Sequence, residues 1–97
     1  MARDTRIGII GCGNISDTYF SFAPLFKGLA VVACADLKAP LAKAKAEKYG
    51  VRAETVDGLL KSDDVDLVIN LTIPAAHFSV TQAILSAGKH AYSEKPL

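Results

Sequence analysis

Ninety-seven residues, 51% of them apolar, carry 11 basic and 10 acidic side chains and a formal charge of +1. That length suits a single domain over residues 1–97, and the near-even charge balance points away from nucleic acid and membrane surfaces as partners. No apolar run approaches the roughly 20 residues of a membrane span, and the N-terminus has no signal-type apolar region.

Cys12 and Cys34 are the only cysteines and lack the paired spacing of a zinc site, so no metal is expected. Both read as buried thiols, in keeping with a cytoplasmic setting. A core can form, but a chain this short buries only roughly 60–65% of the surface its unfolded form exposes.

Apolar runs alternate with helical patterns. Arg6–Gly11 reads as a first strand, apolar enough to be buried on both faces. A helix is predicted from Ile15 to about Ala23, stopped by Pro24. Leu29–Asp36 is a second, valine-rich strand. Pro40 opens a helix whose lysine- and alanine-rich body has high propensity and whose C-cap is Gly50. Val51–Ala53 is a short third strand, and Val56–Lys61 makes one or two helical turns. Asp66–Thr72 is the fourth strand, Pro74–Ala87 a helix closed by Gly88, and His90–Glu94 the fifth strand. Strands separated by helices imply right-handed crossovers and a parallel sheet covered on both faces. The class is α/β, a doubly wound Rossmann-type sheet of order 3-2-1-4-5 that lacks a final strand.

Gly11 and Gly13 occupy the first two positions of a Gly-x-Gly-x-x-Gly/Ala turn between strand and helix, with Ser16 at the third. Gly11 can take the tight turn. Gly13, without a Cβ, lets a diphosphate lie against the backbone of Gly11–Asn14, and unpaired N–H groups from Asn14 and Ile15 onward face the anion. Asp36 ends the second strand twenty residues beyond Ser16, where a carboxylate accepts hydrogen bonds from the adenosine ribose. Its charge repels a 2′-phosphate, and Lys38 is the only cation close behind it, so NAD is preferred over NADP. A solvated aspartate that merely caps the next helix is the alternative. The end of strand four should border the same crevice through Asn70, Thr72 and the Ile73-Pro74 backbone, with His77 in the first turn of the following helix. Glu94 and Lys95 stand together at the end of strand five.

Four segments carry a resemblance: Gly8–Ser16, Ala33–Asp36, Asp66–Thr72 and, most specifically, Ala87–Leu97 with its Glu94-Lys95-Pro96. Together they resemble the N-terminal domain of the glucose–fructose oxidoreductase / inositol dehydrogenase / rhizopine-catabolism (Gfo/Idh/MocA) family over essentially the whole chain. The resemblance implies hydride transfer between NAD(P) and a hydroxyl-bearing carbon of a sugar or polyol. It places Lys95 beside the nicotinamide and the reacting hydroxyl as the catalytic residue, and Glu94 near the nicotinamide ribose. Where the family often has Thr-Pro-Asn, this chain has Thr72-Ile73-Pro74, so contacts carried by that asparagine are not transferred. The Lys95-Pro96 bond is a candidate cis peptide.

Family members are several times longer, and a second α/β domain supplies their substrate pocket and much of their oligomer contact. The resemblance therefore implies a cofactor domain that is inactive alone, taken from a homo-oligomeric parent, with strand five as an open edge. Two other classes use a similar glycine turn: a non-catalytic dinucleotide-sensing module, and an adenosylmethionine-dependent methyltransferase. Neither calls for Glu94 and Lys95.

Overall fold

A computed structural model describes residues 5–13, 16–22, 28–72 and 74–93. Five strands, β1 (Thr5–Ile10), β2 (Leu29–Ala35), β3 (Arg52–Glu54), β4 (Leu67–Asn70) and β5 (His90–Ser93), alternate with four helices. The helices are α1 (Ser16–Phe22), α2 (Ala39–Tyr49), α3 (Val56–Leu60) and α4 (Pro74–Ser86). The strands form one parallel sheet in the order β3-β2-β1-β4-β5, as the alternation predicts.

Side chains that alternate along each strand feed two separate cores. Ile7, Ile9, Cys34 and Ile69 point to one face and pack with Phe20 of α1 and with Ala42 and Ala46 of α2. Ile10, Ala33, Ala35 and Val68 point to the other and pack with Leu59 and Leu60 of α3 and Val80 and Ile84 of α4. Helices therefore cover both faces. Small residues set the spacing of these layers: a Cβ on Gly8 would stand 2.8 Å from Leu59 Cδ2. Cys12 and Cys34 are free thiols, buried as expected. The adjacent Cys34 sulfur and the loss of water both push the Cys12 thiol up, which keeps it protonated and unreactive.

Element ends differ from the sequence expectation by a residue or two, each for a local reason. β1 stops at Ile10 because Gly11 turns the chain at φ +104°. Gly50 is the left-handed cap of α2, at φ 68°, and the Val51 N–H still donates to the Ala46 carbonyl. Val51 thus belongs to the cap, and β3 begins one residue later than expected. α2 starts at Ala39, which makes Pro40 its second residue. Thr55 caps α3 by accepting the Gly58 N–H. Asp66 precedes β4, where its carboxylate accepts the Arg6 N–H at 2.9 Å. One extra residue also enters β2: Ile7 pairs with Val31 and Gly8 with Ala33, so Val32 has no opposite number.

α1 and α2 are clasped over their shared core. Phe20 and Tyr49 stack with ring centroids 4.4 Å apart, and Asp17 accepts hydrogen bonds from Lys45 Nζ (2.7 Å) and from the Tyr49 hydroxyl. Lys45 first, and Tyr49 second, hold the Asp17 carboxyl at about 2 against its ordinary 3.8. A depressed folded-state value means that this contribution is complete above pH 3.8 and is lost as pH falls toward 2. Asp64 and Asp66 are also held low, by Arg52 and Arg6, and add to the same acid lability. The urea midpoint of Asp17→Asn should therefore fall less steeply between pH 5 and pH 2 than that of the unchanged protein. Parallel profiles would show that the clasp contributes nothing.

Candidate functional site

The C-terminal rim of the sheet is shaped first by Gly11. Its N–H donates to the Ala35 carbonyl at 2.8 Å and, one residue further along the neighbouring strand, the Leu71 N–H donates to the Ile10 carbonyl at 2.8 Å. These bonds draw Gly11 against the backbone of Leu71, so a Cβ there would sit 2.7 Å from the Leu71 carbonyl carbon. Only glycine combines that approach with φ +104°. Gly13 is different: among the described residues, its chain neighbours aside, no heavy atom lies within 4 Å of where its Cβ would stand, and the residue is exposed. One glycine makes the turn and the other leaves space above it.

Ser16, the third residue of the fingerprint, is fully buried, and its hydroxyl donates to the Gly13 carbonyl at 2.6 Å. Its own N–H reaches the same oxygen at 3.0 Å. A small hydroxyl side chain therefore meets the packing demand of that position and also fastens the turn to α1.

Asp36 follows β2 directly. Its Oδ2 accepts the Cys12 N–H and its Oδ1 the Lys38 N–H, both at 2.7 Å. The first bond crosses from the end of β2 to the glycine turn; the second fixes the entry to α2, whose N-cap is Lys38. Asp36 is thus not the cap weighed from the sequence, since the N-cap Lys38 has no side-chain cap bond; it sits two residues earlier, where it braces the approach to the helix and ties it to the glycine turn. A carboxylate has about four acceptor sites, so two N–H donors leave capacity for hydroxyl donors.

Gly11, Gly13, Asp36 and Thr72 all line one cleft of about 260 Å³. Leu37 and Leu41 line it as well, and both are exposed, Leu37 by 72%. Reading from the sequence missed this pair; the available signal was an apolar residue directly after Asp36, outside the buried pattern of β2 and α2. A wider open groove of about 1370 Å³ adjoins the cleft between α2 and α3. It shares Asp36 and Leu37 but none of the glycine-turn residues, so the turn and carboxylate define the smaller cleft as the site.

Across the rim, the fully buried Asn70 organises the end of β4. Its Oδ1 accepts the Thr72 N–H (3.1 Å) and hydroxyl (2.6 Å), and its Nδ2 donates to Thr81 Oγ1 of α4 (2.9 Å). Asn70 therefore positions Thr72 at the cleft. The β4–β5 ladder ends with Asn70 opposite Ser93, level with this rim. Asn14, Ile15, Glu94, Lys95 and the Lys95-Pro96 bond lie outside the described residues; of His77, only its backbone place as the fourth residue of α4 is described.

A parallel sheet whose first crossover carries this glycine turn, with a carboxylate closing the cleft from the second strand, is a Rossmann-type dinucleotide-binding domain. Residues 5–97 match the profile of GFO_IDH_MocA, described as an oxidoreductase family with an NAD-binding Rossmann fold, and the chain belongs to that family. It is 36% identical over 96 residues to the inositol 2-dehydrogenase of Salmonella typhimurium, covering 95% of this chain and 29% of the relative. Among solved structures it resembles KijD10, a 3-ketoreductase from Actinomadura kijaniata in complex with NADP and TDP-benzene. There the TM-score is 0.89 and the identity 31%, over 98% of this chain and 30% of the other. It also resembles the WlbA dehydrogenase from Bordetella pertussis in complex with NADH and UDP-GlcNAcA, with TM-score 0.90 and 25% identity over 97% and 29% of the two chains. The chain thus spans a little under a third of the length of these relatives.

The residues present fit a dinucleotide. Gly13 leaves open space at the turn, Asp36 presents a carboxylate to the same cleft, and Leu37 and Leu41 give it an apolar flank. Among the described residues, no group of three His, Cys, Asp or Glu side chains is arranged to hold a metal ion. None of the described helices is long and apolar enough to cross a membrane.

Proposed function

We propose that this oxidoreductase domain takes NAD in preference to NADP and serves hydride transfer at a hydroxyl-bearing carbon of a sugar or polyol. The observation that carries the reading is the Asp36 carboxylate facing the cleft built by Gly11 and Gly13. A negative charge there accepts hydrogen bonds from ribose hydroxyls and opposes a 2′-phosphate. Relatives named for NADP and for NADH both occur, so the preference rests on Asp36 itself. The substrate class follows from relatives named for inositol and for sugar nucleotides.

In this reading the backbone of Gly11, Gly13, Asn14 and Ile15 holds the diphosphate, and Asp36 holds the adenosine ribose. Leu37 and Leu41 exclude water from the adenine side. Thr72 and His77 border the cofactor, and Glu94 hydrogen-bonds toward the nicotinamide ribose. The bound nicotinamide supplies the hydride acceptor or donor. Lys95 hydrogen-bonds to the substrate hydroxyl and carries its proton away as the carbonyl forms, or returns it in the reverse direction. The domain alone is inactive in this reading, because the substrate pocket lies in the remainder of a longer, homo-oligomeric, cytoplasmic parent.

Titrations with NADH and NADPH, followed by nicotinamide fluorescence, test the cofactor assignment. NADH should bind more tightly. Asp36→Ala should weaken NADH by about 10–100-fold, the equivalent of one charge-assisted hydrogen bond, and should narrow the gap between the two cofactors. The ratio is the diagnostic quantity, because Asp36 also ties down Cys12 and Lys38, and loss of those ties alone would weaken both cofactors alike. An unchanged ratio would remove Asp36 as the selective group.

A further inference from the structure

The strand end that leads to Lys95 leans on α1 through a pair of aromatic rings. Tyr92 of β5 and Tyr19 of α1 lie with ring centroids 6.5 Å apart and planes inclined at 59°. The two rings are unequal partners. Tyr19 is partly buried and packs against the core that holds Phe20, Ala42 and Ile69, whereas Tyr92 is 53% exposed. β5 is an edge strand with one neighbour among the described residues, β4, through four residue pairs that end at Ser93. Tyr92 is therefore the last side chain before Glu94-Lys95 with a described tertiary contact.

The other end of this contact reaches the glycine turn. Tyr19 lies one helical turn after Ser16, and Ser16 is bonded to the Gly13 carbonyl at 2.6 Å. A short path thus runs from the turn through Ser16, along α1 to Tyr19, across to Tyr92, and three residues on to Lys95. Lys95 follows Tyr92 by three residues in the chain, so the anchorage of Tyr92 bounds where that lysine can stand.

We propose that Tyr19 and Tyr92 are positioning residues that fix the spacing between the glycine turn and Lys95, and so set how well the proton-carrying amine meets the reacting hydroxyl. This rests on the reading of Lys95 given under Proposed function. β5 is held by its four-residue ladder to β4, by Ala91 against the core under α4 and, near its end, by Tyr92 on Tyr19, and misplacement of a reacting group by about 1 Å can cost on the order of 100-fold in rate.

Tyr92→Ala, Tyr19→Ala, Tyr92→Phe and Lys95→Ala in the full-length protein test the proposal by two measurements. In the first, backbone hydrogen exchange of the 90–97 peptide should be about tenfold faster in both alanine variants, with the β1 and β2 peptides unchanged. In the second, kcat for myo-inositol oxidation by NAD should fall about tenfold in both, with KM for NAD within about twofold, and Tyr92→Phe should restore both readouts.

Unchanged exchange at 90–97 would overturn the proposal. So would faster exchange with an unaltered kcat, or a loss that falls on KM for NAD alone. Full activity of Lys95→Ala would instead strike the role given to that lysine. A protein inert toward myo-inositol would strike the proposed substrate class and leave the exchange measurement to decide the contact.

Discussion

Lys95→Ala in the full-length protein should lower kcat by about 10²–10⁴-fold, the usual contribution of a positioned proton-transfer group, with NADH affinity within about twofold of the unchanged protein. The separation follows from the architecture. The groups proposed to hold the cofactor, Gly11, Gly13 and Asp36, come from the ends of β1 and β2, while Lys95 follows in the chain after β5, a strand separated from β1 by β4. Loss of the amine leaves the turn and the carboxylate untouched, so ground-state binding is retained and the chemical step suffers. Steady-state kinetics beside a fluorescence titration makes the distinction. Full turnover in this variant would remove Lys95 from the chemistry, and a parallel loss of NADH binding would make it a binding residue.

The two turn glycines should respond in opposite ways to the same methyl group. Gly11→Ala places a Cβ 2.7 Å from the Leu71 carbonyl carbon, 2.8 Å from its oxygen and 3.0 Å from the Thr72 nitrogen, in a backbone held at φ +104°. All three are main-chain atoms between β4 and the site, and none can turn away as a flexible side chain would. Strain and overpacking together should cost about 2–5 kcal/mol, a large part of the stability of a domain this small. Gly13→Ala meets nothing within 4 Å among the described residues, its chain neighbours aside, and has no positive φ, so its stability should stay within about 0.5 kcal/mol of the unchanged protein. Its methyl group projects into the open space where the diphosphate is proposed to lie, so NADH affinity should fall. Urea unfolding and NADH titration of both variants provide the comparison. A stable Gly11→Ala would contradict the close approach, and an unaffected NADH affinity in Gly13→Ala would move the diphosphate elsewhere.

The architecture was legible because its signals are redundant. Apolar runs such as Ile7–Ile10 and Val68–Ile69 alternate with helix-forming stretches, and glycines stand at 11, 50 and 88, where the backbone does take positive φ. The layer assignment needed only the period-two alternation that sends Ile9 and Ile10 to opposite cores. Element ends were less legible because they depend on individual hydrogen bonds and turns that the hydrophobic pattern does not specify. Gly50 announced a cap, but nothing in the sequence shows that Val51 completes it by bonding back to Ala46. The extra residue at Val32 lies within an unbroken apolar run and leaves no trace in composition.

The site followed the same rule. Gly11 and Asp36 were readable from spacing, since the turn and the strand end are local features. Asp36 bonding across to Cys12, and Asn70 orienting Thr72 and gripping Thr81, arise only when separate strands and helices are brought together. Leu37 gained its place because the fold leaves it exposed beside the turn.

The double engagement of Asp36 bears on redesign of coenzyme choice. Admitting a phosphorylated ribose by trimming this acid to glycine would also cut two main-chain tethers, leaving the Cys12 and Lys38 amides to find solvent. A swap that succeeds should therefore bring a replacement acceptor, such as a serine or threonine hydroxyl at position 36, along with a cation on the outer wall. Charge reversal by itself should yield a protein that holds neither coenzyme well.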